Sequence, residues 1–265
     1  AMAEEAKRIP DREAREALAG RDVPAEGVSP QALASAAKVY LAVKREIADD
    51  PGIRGAGINC LNESAYSDST PCLAWSLLFE ERGLLWACEA DTMSLLSKYI
   101  IHRSLGAPVI MSNIYPFLMG MAALKHERIE AFPEVKDPDN YLLVAHCGYF
   151  GLVPKPFAAQ WTLRPKVLAI VDENATAIDA RLPAGPVTLA KLDPTLNRLQ
   201  AVEGNLEGYV QYPGSDCRNG GLIHVQDGHR LMEAFYSHHN ILIAGHRGVE
   251  LKSMAGALGL AFDAV

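Results

Sequence analysis

The segment GLLWACEADTMSLLSKYIIHRSLGAPVIM, residues 83–111, decides how the chain is read. Leu84-Leu85-Trp86-Ala87 is an apolar run without polar alternation, as expected of a strand buried on both faces. Asp91 stands where an N-cap belongs, and Met93, Leu96, Tyr99 and Ile100 then recur on one face of a helix spanning Thr92 to Leu105. Gly106 and Pro108 end that helix before a second apolar run, Val109-Ile110-Met111.

The same alternation extends outward. Upstream, Ser29-Pro30 opens a helix whose apolar positions Leu33, Ala37, Tyr40, Leu41 and Ile47 run to the stop at Asp50-Pro51-Gly52. A strand over 53–60 follows, and Asp68-Ser69-Thr70-Pro71 leads into a helix over 72–82 closed by Gly83. Downstream, the pattern predicts a helix over 115–130 and a buried strand over 141–145. Strand and helix in turn predict an α/β fold, a mostly parallel sheet with helices on both faces.

From Gly148 helical periodicity stops. Short runs at 166–171, 186–192, 208–211 and 222–225, separated by Gly, Pro, Asn and Asp, predict an inserted antiparallel β-rich module. A strand at 240–244 and a helix at 249–258 are expected to rejoin the first sheet. The expected division is a charged lead-in over 1–28 with a short helix at 11–18, an α/β domain of 29–147 and 237–265, and the β-rich module over 148–236.

Composition limits the function classes. The 265 residues are 49% hydrophobic and 22% charged, an ordinary globular balance, so wholesale disorder is excluded. With 25 Lys plus Arg against 32 Asp plus Glu, the net charge of -7 gives no general basic face for nucleic acid. No apolar run approaches a membrane-spanning length of about 20 residues, and the N-terminus lacks the apolar stretch of a signal peptide. Five cysteines without a C-x-x-C pair fit reduced thiols in a cytoplasmic protein better than a disulfide framework.

Ligands of open parallel sheets bind beyond the carboxyl ends of the strands. The residues there are Cys60 to Glu63, Cys88-Glu89-Ala90-Asp91, Ser112-Asn113 and His146-Cys147-Gly148. Glu89 alone reads as a solvated loop charge and Asp91 alone as a helix cap, but together they gather carboxylates, an amide and a histidine on one edge. His238-His239 adds an imidazole beside those carboxylates, and such O and N donors suit Mn or Mg. His239 precedes its strand, so it reaches that edge only if the strand runs antiparallel or its loop arches over. His146 and Cys147 are adjacent and point to opposite faces, which makes them a poor base–nucleophile pair. Cys60, Cys72, Cys88 and Cys147 lack the spacing of a zinc signature and read as buried thiols.

Five motifs occur in order: Thr70-Pro71-Cys72-Leu73-Ala74, Ala87-Cys88-Glu89-Ala90-Asp91, Asp139-Asn140 with Ala145-His146-Cys147-Gly148, Gly185-Pro186-Val187-Thr188-Leu189-Ala190, and His238-His239 leading to Gly245-His246. Together they resemble the C-terminal portion of the L-fucose isomerase-like sugar isomerases, relatives of L-arabinose isomerase, from about residue 30 to residue 265. The resemblance implies an aldose–ketose isomerase working through a cis-enediol, with Mn2+ or another divalent cation such as Mg2+ or Co2+. It implies Asp91 and His239 as metal ligands. The family's glutamate aligns near Cys72, and Glu63 is the acid close enough to replace it. Glu63 and Asp91 are the expected acid–base groups, while His146, Asn113, Arg218 and His238 are expected at the substrate; Asn113 stands where a related member has an aspartate.

The implied ligand is a small-molecule sugar. Full-length members carry further N-terminal domain(s) and complete their active sites with neighbouring subunits, so a homo-oligomer, or dependence on a missing N-terminal domain, is expected. Two alternatives are a sugar-binding or regulatory relative without a complete metal site, and an isomerase of a sulfonated or phosphorylated aldose, for which Arg218 and Arg247 are available.

Overall fold

Ser29 starts the first long helix. Its hydroxyl accepts a hydrogen bond from the Ala32 N–H (3.0 Å), and Pro30 occupies the first turn, where a missing N–H breaks no helical bond. A computed structural model describes residues 2–60, 68–115, 130–131, 134–151, 153–167, 172–211 and 217–265. In it α3 (Pro30–Glu46) carries two short preceding helices, α1 (Met2–Arg8) and α2 (Asp11–Leu18), on its surface. Ala6, Ile9 and Ala14 are buried in these contacts, and Lys38–Asp11 (2.6 Å) and Arg45–Glu5 (2.8 Å) ion pairs flank them.

α3 packs on α4 (Cys72–Arg82), which connects β1 (Gly55–Gly57) to β2 (Leu85–Ala87). These two strands pair in parallel, Gly55 opposite Leu85 and Gly57 opposite Ala87, so this β-α-β unit has the expected form. α5 (Thr92–Leu105) follows and lies across both sheets, touching β1 and β2 as well as the strands described next.

Those strands are β3 (Val109–Tyr115), β4 (Tyr141–Ala145), β7 (Gly185–Leu192), β8 (Arg198–Val210), β9 (Gly220–Val225) and β10 (His239–Ala244). They pair in the order β8-β7-β10-β3-β4-β9, and β9 pairs back to β8, closing a six-stranded barrel in which every pairing is antiparallel. A hairpin of β5 (Gln160–Pro165) and β6 (Thr176–Arg181) packs against α3 and α4. α6 (Gly228–Ala234) precedes β10, and α7 (Gly248–Ala257) leads to β11 (Ala261–Ala264), which lies parallel to β8.

This overturns the expected fold class. The main sheet is an antiparallel barrel, and three of the four runs expected to form an inserted antiparallel module, 186–192, 208–211 and 222–225, fall on staves of that same barrel, with β10 bonded to β3 on one side and β7 on the other. The physical reason lies in what an uninterrupted apolar run reports. β3, β4 and β10 are buried on both faces because one face fills the barrel and the other lies under α5 and neighbouring segments. Such a run records two covered faces and carries no information on strand direction. Residues 116–129 of the helix expected at 115–130, and 168–171 of the strand expected at 166–171, lie outside the described residues. Among the described residues no helix is long and apolar enough to cross a membrane.

Barrel closure falls to β8, which pairs with β7 over its first part and with β9 over its second, with a bulge between Leu206 and Gly208. Gly204 sits at the change-over, opposite both Val187 and Val225. A Cβ there would stand 2.5 Å from the His224 carbonyl oxygen, a backbone atom that cannot rotate away. Gly204→Ala should therefore destabilise the protein by about 1–3 kcal/mol without altering β7 or β10. Thermal unfolding followed by circular dichroism checks this, and an unchanged midpoint would show that closure does not need the close approach.

Candidate functional site

Antiparallel pairing answers how His239 reaches the other chemistry. Its register partner on β3 is Asn113, whose partner on β4 is Ala145, so His239, Asn113 and the following His146 lie side by side at one end of three adjacent staves. The turn after β2 delivers Glu89 and Asp91 to the same place. That turn is unusual, because Glu89 (φ 57°) and Ala90 (φ 56°) are both left-handed non-glycine residues. The turn after β4 repeats the feature at Cys147 (φ 57°), followed by Gly148 (φ 84°). Backbone of this kind costs of order 1–3 kcal/mol per residue and persists where surrounding packing imposes it.

Asp91 is both the helix cap and a partner of His239. Oδ1 accepts from the Ser94 N–H (2.8 Å), while Oδ2 accepts from Ser94 Oγ (2.7 Å), His239 Nδ1 (2.8 Å) and Lys191 Nζ (3.3 Å). With Nδ1–H committed to Asp91, the other ring nitrogen of His239 faces Glu89 Oε2 at 3.4 Å. That Nε2 is buried and has no hydrogen-bond partner. Glu89, His238 and His239 each offer a ligand atom, and these atoms lie within 4.8 Å of one another.

Electrostatics couple the group. Burial opposes charge on His239, but Asp91 and Glu89 outweigh it and raise its pKa to about 9. Burial likewise opposes ionisation of Asp91 and Glu89, yet His239 on both, with Ser94 and Lys191 on Asp91, holds the two carboxyls below their usual range. Burial and the charge of His239 push His238 the other way, downward. Lys191, 3% exposed, is lowered by burial despite its contact with Asp91.

No family model matches this chain, and no curated protein matches it.

Of the residues expected at the site, Asp91, His239, His238, Asn113 and His146 converge. His146, 1% exposed, donates from Nδ1 to Asn113 Oδ1 (3.2 Å), whose amide in turn donates to Tyr115 Oη (3.2 Å). The His146 and His239 rings stand edge to face, 6.4 Å between centroids. Arg218 is exposed, its N–H donating to the Gly148 carbonyl (2.6 Å). Arg247 lies beyond the far end of β10 and pairs with Glu250 (3.0 Å). Glu63 lies outside the described residues. Lys191 is the participant that sequence reasoning passed over, and Glu89 the one it placed at this edge without assigning it a role. Their signals were an acid two residues before the capping aspartate, and one lysine inside the apolar run 186–192.

The pH dependence of stability follows from these directions. His239 is raised above its unfolded value, so its contribution is complete below about pH 6.5 and is lost as pH rises through about 9. Asp91 is depressed, so its contribution is complete above about pH 3.8 and is lost on acidification below that. The stability advantage of chelator-treated wild type over Asp91→Asn should thus be largest between about pH 4 and 6.5 and shrink toward pH 9. Melting profiles of the two proteins running parallel from pH 6 to 9 would refute the pairing.

Proposed function

We propose that this protein is a divalent-metal-dependent aldose–ketose isomerase of a small sugar. The observation carrying this reading is the buried Nε2 of His239, held 3.4 Å from Glu89 Oε2 by the bond from Nδ1 to Asp91. A carboxylate that orients a ligating imidazole from behind is the usual support of a metal-bound histidine. Glu89, His238 and His239 would hold the ion, Mn2+ or another divalent cation such as Mg2+ or Co2+. Asp91, with both oxygens engaged, orients His239 instead of ligating. A divalent ion bound there supplies Lewis-acid polarisation of neighbouring sugar oxygens.

Proton transfer belongs to His146 in this reading. Its Nδ1–H is committed to Asn113, which leaves a lone pair on a buried Nε2 that has no partner. That atom takes the proton from C2 of the open-chain aldose and returns it to C1 through a cis-enediol, while the O2 hydroxyl proton passes to O1. The Tyr115–Asn113 contact fixes the amide so that its oxygen faces His146.

One observation favours a second reading, a sugar-binding or regulatory protein without a metal. His239 and Lys191 set two cations against Glu89 and Asp91, so the cluster balances its own charge.

Mn2+ titration of chelator-treated protein separates the two. Wild type should bind Mn2+ with an affinity that rises with pH toward about 9, because the ion must displace the imidazole proton. Glu89→Gln and His239→Ala should abolish binding, and Asp91→Asn should weaken it about 10–100-fold. His146→Gln should keep the metal and lose turnover of aldoses assayed with Mn2+. Sugar binding by a wild type that takes up no Mn2+ would establish the second reading.

A further inference from the structure

Lys191 is an unfavourable residue for its place in the fold. It interrupts the apolar end of β7, between Ala190 and Leu192, and is 3% exposed. Burying an ammonium costs desolvation that an unbranched apolar side chain of similar length would not incur, and ion pairing seldom recovers the difference. Packing alone therefore gives no reason for a lysine there. Its contacts do, because they lead to Asp91. Nζ donates to Asp91 Oδ2 (3.3 Å) and to Ser94 Oγ, and Ser94 Oγ itself donates to the same Oδ2 (2.7 Å). The Ser94 N–H holds Oδ1 (2.8 Å), which is all that capping α5 requires. The ammonium and the hydroxyl brace the other oxygen, the one that faces His239 Nδ1 at 2.8 Å.

Topology brings Lys191 to this place. β7 pairs with β10, the strand that begins at His239, so neighbouring staves supply the imidazole and the ammonium to one carboxylate. α5 lies across both staves and presents Ser94 and Ser97, both fully buried, to β7. The Leu192 N–H donates to Ser97 Oγ (3.2 Å). Successive residues of β7 thus do separate things: the Leu192 backbone docks the helix, and Lys191 engages the carboxylate at its cap.

We propose that Lys191 is a positioning residue for His239 and acts through Asp91, an inference that rests on the metal-dependent reading of the site. Held by its cap bond alone, the Asp91 carboxylate would be free to turn Oδ2 about χ2. With Lys191 and Ser94 on that oxygen, it presents one fixed acceptor to Nδ1. The ring is thereby kept with Nε2 3.4 Å from Glu89 Oε2, facing the carboxylate that would share the ion. Lys191 itself touches neither ion nor sugar, because it is buried and Asp91 stands between it and the imidazole.

The ring proton shared by His239 and Asp91 is the readout, because an imidazole N–H bonded to a buried carboxylate is shifted far downfield in proton NMR and shielded from exchange with water. Chelator-treated wild type should show this resonance, and His239→Ala should remove it, which assigns it. Lys191→Met should lose it, Lys191→Arg should restore it, and Ser97→Ala, which removes only the helix-docking bond, should leave it in place. In Mn2+ titrations Lys191→Met should weaken binding about 10-fold or more. The double variant Lys191→Met with Asp91→Asn should bind no more weakly than Asp91→Asn alone, since Lys191 acts through that carboxylate. Should Lys191→Met fail to fold, Lys191→Gln, which keeps polarity without charge, should lose the resonance in its place. A wild type without the resonance, a resonance that survives removal of the lysine or disappears equally in Ser97→Ala, or additive losses in the double variant would overturn the proposal. The proton readout requires no metal, so a wild type that shows it and takes up no Mn2+ overturns the metal-dependent reading instead.

Discussion

A strand hydrogen-bonded along both edges cannot slip against one neighbour without losing its register with the other. β10 is such a strand, bonded to β3 and β7 at once, and its register with β3 sets His239 opposite Asn113. Ile241, Leu242 and Ile243 are fully buried, so the register is enforced by the hydrophobic core well away from the histidine. The position of His239 relative to Asp91, Glu89 and His146 is thus a property of the closed barrel as a whole.

Charge is balanced within the cluster that forms at this end. Around His239 the carboxylates and cations are interleaved at 2.8–3.4 Å, and each is shifted toward its charged form except where burial prevails, as at Lys191 and His238. The turns after β2 and β4 carry left-handed backbone at Glu89, Ala90 and Cys147, the strain that accompanies this placement.

The legible parts of the sequence were those with local causes. Ser29 with Pro30, Asp91, Gly83 and Gly106 mark helix ends through their own side chains or backbone freedom, and the helices at Cys72–Arg82 and Thr92–Leu105 start and stop where those residues place them. Strand direction has no such local cause. The run 141–145 has the same composition whether its neighbours run with it or against it, and the neighbours of β4 lie far along the chain. The site was legible in part for the same reason: His239, Asp91, His146 and Asn113 flank apolar runs, whereas the role of Glu89 depends on a turn conformation and that of Lys191 on the barrel's curvature. Cys60, Cys72, Cys88 and Cys147, read from the sequence as buried thiols because their spacing carries no metal signature, are buried and free.

Barrel closure by β8 has a kinetic corollary. β3 and β4 lie between residues 109 and 145, while β7, β8, β9 and β10 lie between residues 185 and 244, and the ring is complete only when both sets have paired. Contacts between residues so far apart in sequence carry a large loop-closure entropy before any stabilisation is returned. The helical layer of α1 to α4 rests instead on local contacts that form early. This topology predicts that the helical layer forms before the ring closes, so that the histidine cluster assembles only on closure.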